Sequence, residues 1–332
     1  MSGKMRYVLA GFAVGIVVMA GLAAVASACN VLVVMSYDDT YPWEQEVRDG
    51  IESVLNGRCE LTYSYMDTNR YSDVGPQKAE EAYNLYQQLQ PDGVIAVDDN
   101  AQSMFVVPYL KDKTQTPVMF CGVNAEPDVY GYPASNVSGM LERLHIFETV
   151  LFAQQLVPNL KTFAIVQKNS STAEMLVQQI EQEQETYPAK LIGHYRPTAL
   201  AEALKIAAEL KTQADVLFYE TFDKISDENG QLLTDAEVVP MIAAAFGKPL
   251  IGNNAYHIRD GVLCAVIKLG EEQGSVAAQK LLQVLGGTPV SDIPIERNKK
   301  GKRIINVTAL RRFGLKPKPI ALQGAELIET GK

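Results

Sequence analysis

From Asn30 onward, short apolar runs alternate with longer amphipathic stretches, and that rhythm leaves few folds open to the chain. Asn30 to Met35 (NVLVVM), Gly93 to Val97 (GVIAV) and Pro117 to Cys121 (PVMFC) read as buried strands, and Cys59 to Tyr65 (CELTYSY) as an alternating one. Between them, Trp43 to Leu55 and Pro76 to Leu89 carry helical spacing. Val47, Ile51, Val54 and Leu55 share one face, and Ala79, Ala82, Tyr83 and Tyr86 another. Ala101 to Leu110 adds a short helix. The alternation restarts after Gly139. Helices at Ile146–Leu156, Thr172–Thr186, Leu200–Leu210, Asp235–Phe246 and Gly270–Leu285 interleave with strands at Thr162–Val166, Ala189–Tyr195, Val216–Tyr219, Pro249–Gly252 and Val262–Ile267. Asp235 reads as the N-cap of its helix. Strict alternation of strand and helix implies parallel sheets with helices on both faces. Two successive sets predict an α/β protein of two doubly wound, parallel-sheet lobes, and 332 residues suffice for both cores.

The beginning of the chain follows a different rule. Lys4 and Arg6 precede an uninterrupted apolar run, Tyr7 to Val25, and Ala26-Ser27-Ala28 stands before Cys29. A basic start, an apolar stretch and small residues at a cut site describe an export signal over residues 1–29. Cys29 is also a candidate lipidation site. Free secretion and a lipid anchor both stay open, as does a retained membrane helix. The expected location is therefore periplasmic or extracytoplasmic and membrane-anchored, with the membrane met only through the signal or anchor. A net charge of −9 makes nucleic acid an unsuitable partner, because an acidic surface repels phosphate backbones. The one basic cluster, Arg297 to Arg303, reads as a solvated turn. Cys121 and Cys264 lie inside apolar runs and read as small buried hydrophobes. No cysteine–histidine spacing suits a metal, no cofactor is expected, and one disulfide is open with its pair unassigned.

In doubly wound sheets, ligands bind beyond the carboxyl ends of the strands, where helix N-termini also point. The residues following each strand are thus the candidates. Ser36, Tyr37, Tyr41 and Trp43, the only tryptophan, follow the first strand. Asp98, Asp99 and Asn100 follow the third, and Asn124 the fourth. In the second half the corresponding residues are Asn169, Ser170 and Thr172, then Tyr219 and Glu220, then Asn253 and Tyr256. Uncharged hydrogen-bonding groups, a few carboxylates and several aromatics suit a small polar ligand with an apolar portion. Each also has a structural reading: Asp98, Asp99, Ser170 and Thr172 as helix caps, Tyr37, Tyr41 and Trp43 as rim packing, Asn253 as a turn residue. Catalysis finds little support. His145, His194 and His257 fall in no GxSxG or HExxH frame, and the GxGxxG fingerprint and P-loop are missing.

The segments VLVVMSYDDTYPWEQEVRDGI (31–51), YSYMDTNR (63–70), PDGVIAVDDNA (91–101) and PVMFCGVN (117–124) resemble the ABC-transporter substrate-binding family of type I periplasmic-binding fold. Gly261 to Gly287 and IINVTALRRFGL (304–315) are similar to the family's C-terminal stretch. The resemblance implies two lobes joined by a three-segment hinge, with crossovers near 138–141, 261–265 and 288–294. Residues 30–139 with 265–290 would make the N-terminal lobe, and 140–264 with 291–332 the C-terminal lobe. It further implies capture of a small molecule, an amino acid among the candidates, for an ABC permease, with a membrane sensor as the alternative partner and an enzyme as the minor one. Carried onto these residues, Asp98 or Asp99 meets an α-ammonium, and the amides of Asn169 to Thr172 hold a carboxylate. Tyr37, Trp43, Tyr219 or Tyr256 flank a side chain.

Overall fold

A computed structural model describes residues 29–71 and 73–330, apart from the side chains of Ser171, Thr172 and Met175. The expected export signal before Cys29 lies outside the described residues, and so does the side chain of Thr172. No described helix is long and apolar enough to cross a membrane.

The first lobe is built from β1 (Cys29–Met35), α1 (Pro42–Leu55), β2 (Cys59–Tyr65), α2 (Gly75–Leu89), β3 (Gly93–Val97), α3 (Asp98–Ala101), β4 (Val118–Val123) and β5 (Val137–Leu141). After α3 the helix widens to a π-helical stretch, Gln102–Leu110, which contains Pro108. The second lobe takes α4 (Ile146–Leu156), β6 (Thr162–Val166), α5 (Ser171–Glu183), β7 (Lys190–Tyr195), α6 (Leu200–Leu210) and β8 (Val216–Tyr219). A small hairpin, β9 (Ile225–Ser226) and β10 (Leu232–Leu233), precedes α7 (Asp235–Phe246), β11 (Leu250–Gly252), α8 (Ala255–Asp260) and β12 (Cys264–Lys268). The chain then returns to the first lobe for α9 (Gly270–Leu285) and β13 (Glu296–Arg297). It ends in the second with β14 (Gly301–Asn306), α10 (Val307–Arg312), α11 (Pro319–Leu322) and β15 (Glu326–Ile328).

The two sheets run in the orders β13-β5-β4-β3-β1-β2 and β15-β14-β12-β11-β8-β6-β7. The first is wholly parallel, whereas in the second β14 lies antiparallel to β12. The period of two along a strand sets which residues face which helices. Val31, Val33 and Met35 join α1 and α9 in one core, while Leu32 and Val34 join α2 and Phe105 in the core on the other face. The second sheet is likewise covered on both sides, so both lobes are doubly wound. Helices α1 and α9 approach very closely. A Cβ on Gly274 would lie 1.9 Å from the Val47 carbonyl oxygen, so only glycine fits there.

The crossovers fall later than expected, at residues 142–145, at Leu269 and at residues 298–300. Residues 138–141 belong to β5, where the Ser138 hydroxyl donates to the Ile293 carbonyl at 2.7 Å. Residues 264–268 do not open the first lobe; they fill the gap between β11 and β14 in the second sheet. Glu296 and Arg297, expected in the second lobe, pair with β5 in the first. Short strands carrying Ser, Gly or Lys are weakly apolar, and the sequence pattern truncates them. Asp235 is not a cap either. Thr234 holds that position with Glu237, whose carboxylate accepts from the Thr234 amide at 2.8 Å, and Asp235 turns inward. Cys29 lies directly across from Cys59 in the β1–β2 register, and the two form a disulfide. Cys121 and Cys264 are buried free thiols, as expected. A thioether-linked lipid on Cys29 would need the same sulfur atom, so the disulfide and lipidation exclude each other.

Candidate functional site

The carboxyl ends of β1, β3, β4 and β5 face those of β6, β8, β11 and β12 across a cleft, with the first crossover and Lys268, the last residue of β12, in its lining. The outer part, about 500 Å3, is lined by Tyr37, Tyr41, Trp43, Asp98, Asp99, Asn100, Asn124 and Tyr130 from the first lobe and by Asn254 and Tyr256 from the second. A narrower inner chamber of about 90 Å3 is lined by Gln167, Leu176, Gln179, Glu220 and Asn253 of the second lobe and by Arg143 and Leu144 of the first crossover. Asn124, Asn254, Glu142 and Lys268 border both parts.

On the first-lobe wall, the loop after β1 is fixed by Asp38. Its carboxylate accepts from the Thr40 amide at 2.9 Å, from Asn69 Nδ2 at 2.6 Å and from Arg70, which ties the aromatic loop to the β2–α2 connection. Pro42 opens α1, where a missing N–H costs nothing. Trp43 then reaches across, and its indole N–H donates to Asp98 Oδ1 at 3.0 Å. Tyr37 and Tyr41 meet edge to face, with ring centroids 5.2 Å apart. Gly122 makes the room. It has φ of +73°, and a Cβ there would stand 2.2 Å from Asp98 Oδ1.

The three residues after β3 do three different jobs. Asp98 is only 3 % exposed, has φ of +64°, and its Oδ2 has no partner among the described residues. Burial, then the charges of Glu44 and Glu142, push its carboxyl well above the usual carboxylate range. Glu44 is the adjoining buried acid. Its Oε1 accepts from the Tyr37 amide at 2.8 Å while Oε2 is unpartnered among the described residues, and burial raises its carboxyl to about 7. Asp99 is instead well supplied with donors, accepting from the Asn124 amide at 2.9 Å, the Ala125 amide at 3.1 Å and the Tyr130 hydroxyl at 2.7 Å. Three of its about four acceptor sites are thus spent on holding the β4 loop in place. Asn100 donates to the Thr68 hydroxyl at 2.8 Å.

On the second-lobe wall Glu220 is 7 % exposed. Its Oε2 accepts from the Thr221 amide at 2.6 Å, and Oε1 meets only Asn253 Nδ2, at 3.5 Å. Burial raises its carboxyl. Gln167 reaches His194 at 2.7 Å, and Gln179 clasps the Leu144 amide and carbonyl of the first crossover at 3.1 and 2.7 Å. Between the walls, Lys268 at the end of β12 pairs with Glu142, and its ammonium stands 5.4 Å from the centre of the Trp43 ring. Burial alone would lower the Lys268 ammonium, but Glu142 outweighs it and the net shift is upward. Arg143 is neutralised locally, donating to Glu126 at 2.8 Å.

Ten of the sequence candidates line the cleft: Tyr37, Tyr41, Trp43, Asp98, Asp99, Asn100, Asn124, Glu220, Asn253 and Tyr256. Four take up other roles. Ser36 is fully buried, its hydroxyl donating to the Val97 carbonyl at 2.6 Å and accepting from the Ala101 amide at 2.9 Å, which ties β1 to β3. Ser170 caps α5, accepting from the Ala173 amide at 3.2 Å, and Asn169 is exposed beside it; neither lines the cleft. Tyr219 is a core residue whose hydroxyl donates to Asp235 at 2.6 Å. Thr172 belongs to α5, with its side chain outside the described residues. Glu142, Arg143 and Lys268 line the cleft without being among the residues expected there. They sit where apolar runs end on a charge, and displaced crossovers hid them. Gln179 gave no signal, because a glutamine within an amphipathic helix reads as solvent-facing.

The sequence model of the family described as ABC transporter substrate binding protein matches residues 109–325, more than half of the chain. Among solved structures, the ligand-free, open form of a substrate-binding protein with adhesive properties from Clostridium difficile aligns with a TM-score of 0.69 at 16% identity, covering 91% of this chain and 100% of that one. A conserved domain protein from Vibrio cholerae aligns at 0.58 and 17% identity, covering 92% and 100%. The ABC domain from Streptococcus pneumonia, in complex with L-Trp, aligns at 0.56 and 18% identity, covering 91% and 100%. At these identities the likeness is one of fold. No curated protein matches the chain.

Proposed function

The chain belongs to the ABC transporter substrate-binding protein family, and from that premise we propose that it is an extracytoplasmic solute receptor delivering a small molecule to an ABC permease. The observation that carries this reading is the cleft itself. Aromatic rings and a buried, half-satisfied carboxylate line one wall, and amides and a second buried carboxylate line the other. A solute first meets the Trp43–Asp98 wall. Hinge closure then brings Asn253, Asn254 and Tyr256 over it and expels water, which strengthens every polar contact inside. The volume fits an amino-acid-sized ligand rather than a peptide. The L-Trp complex of the similar streptococcal domain makes aromatic amino acids the first compounds to try. Binding of this kind needs no covalent step.

The test is a thermal-shift screen of the protein against amino acids, amines, sugars, nucleosides and small acids. A ligand that binds only the folded state raises the melting temperature. Trp43→Ala and Asp98→Ala are expected to abolish that rise while the circular dichroism spectrum stays native. An undiminished shift in both variants would place the ligand elsewhere.

A further inference from the structure

We propose that Lys268 is the specificity-determining residue of the cleft: its own ammonium occupies the cation position between Glu142 and the Trp43 ring, and the cleft selects solutes whose protonated primary amine competes for that position. The inference rests on the solute-capture reading and names the class of solute.

The first support is placement. Lys268 is the last residue of β12, next to the second crossover, so its stem belongs to the second lobe. Its ammonium belongs to the first, paired with Glu142 and lying 5.4 Å from the Trp43 ring centre. It borders both chambers, and so does Glu142; their ion pair lies where the two meet. A carboxylate together with an aromatic face is how proteins recognise an ammonium of any origin.

The charge balance of the lining points the same way. Asp99 holds the segment after β4 through three donors, and Arg143 is paired with Glu126. Glu142 is paired with Lys268, and Asp98 and Glu220 add buried carboxyls to the lining. A solute bearing only a carboxylate would find both cations of the lining, Lys268 and Arg143, already paired. An amine can take over both the ion pair and the contact with the ring. Lys268 then has somewhere to go. Its four-carbon stem is flexible, and Glu220, whose Oε1 meets only a long contact at 3.5 Å, already acts on it electrostatically.

The experiment is calorimetric titration of the protein, Lys268→Met and Lys268→Met/Glu142→Gln with phenethylamine, phenylalanine and 3-phenylpropionate. These share a ring and differ in carrying an amine, both groups, or a carboxylate alone. The protein is expected to bind the amine-bearing pair and not 3-phenylpropionate. Lys268→Met is expected to bind phenethylamine about tenfold more tightly, since the competing cation is gone. The double variant is expected to lose that gain, because Glu142 is the acceptor. Phenylalanine binding without phenethylamine binding would add a carboxylate requirement, and the selection of amines would stand. Binding of 3-phenylpropionate as tight as that of phenethylamine would overturn the proposal, and this comparison needs no variant to fold. Weaker phenethylamine binding by a natively folded Lys268→Met would also overturn it, showing Lys268 to be a partner for an anion. If sugars or nucleosides raise the melting temperature and none of the three compounds binds, the amine selection fails while solute capture survives. If no solute of any class binds, the capture reading fails as well.

Discussion

Asp98 in the first lobe and Asp235 in the second are both buried, at 3 % and 6 % exposure, and both open a helix. Their surroundings could hardly differ more. Asp235 accepts from the Tyr219 hydroxyl at 2.6 Å, the Phe222 amide at 2.7 Å and the Thr221 hydroxyl at 2.7 Å, with His257 Nε2 at 3.2 Å. Burial by itself would raise its carboxyl, but these partners outweigh it and bring it down to about 2. Among the described residues Asp98 has one side-chain donor, Trp43, with an orphaned oxygen and a left-handed backbone. Burial and neighbouring acids push it up. Depth is therefore not what separates architecture from a binding wall. Donor supply is. The second lobe uses its buried acid to tie β8 to α7 and α8, whereas the first sets Asp98 against a second buried acid, Glu44, with an oxygen of each lacking a donor among the described residues.

The contrast predicts opposite outcomes for one substitution. Asp235→Ala strips the acceptor from two buried donors and a half-buried one and is expected to cost about 3–5 kcal/mol in urea unfolding. Asp98→Ala orphans only the half-buried indole N–H and is expected to cost about 1 kcal/mol or less, while it removes ligand binding. Equal losses in the two variants would break the comparison.

The lobes differ next in covalent support. The Cys29–Cys59 disulfide joins β1 to the edge strand β2, while the second lobe holds only the buried thiol of Cys264. Closing a loop with a sequence separation of 30 stabilises by about 2–4 kcal/mol. Cys59→Ser is expected to show that loss in urea unfolding, with the early part of a biphasic curve belonging to the first lobe. An unchanged midpoint would mean that β2 is held by its hydrogen bonds alone.

How far the sequence anticipates this difference depends on the range of the interactions. Strands such as Gly93–Val97 and Val216–Tyr219 were legible because apolar runs between turn residues have one reading in a chain of this rhythm. The first-lobe wall was largely legible too, since Tyr37, Tyr41, Trp43 and Asp98 cluster just past two obvious strands. The division of labour among Asp98, Asp99 and Asn100 was not. Consecutive residues on a tight turn point in unrelated directions, and only the fold assigns Asp99 to the β4 loop. Glu142 and Lys268 lie 126 positions apart, and nothing local marks them as partners. The same holds for Asp235, which read as a cap because Asp at a helix start usually is one; its role depends on Tyr219, Thr221 and His257.

The smallest predicted effect sharpens the contrast by its sign. The Glu44 carboxyl, raised from 4.5 to about 7, binds a proton more tightly in the folded than in the unfolded protein. Between those values the folded state holds the extra proton, so this group's contribution to stability falls as pH rises through the window. Asp235 behaves in the opposite sense. Lowered from 3.8 to about 2, it contributes stability above 3.8 that disappears as pH falls toward 2. His194, lowered to about 4 chiefly by burial, adds a contribution that rises with pH between 4 and 6.5, so the slope of the protein alone mixes terms of both signs. The difference between the protein and Glu44→Gln cancels the Asp235 and His194 contributions and reports the Glu44–Asp98 pair. The amide keeps an oxygen for the Tyr37 N–H and carries no charge, so the variant is expected to gain about 1–2 kcal/mol on the protein between pH 5 and pH 8. Unfolding curves at those two pH values measure it. A constant difference would mean that Glu44 is ionised throughout, and that the first-lobe wall is as well satisfied as the second.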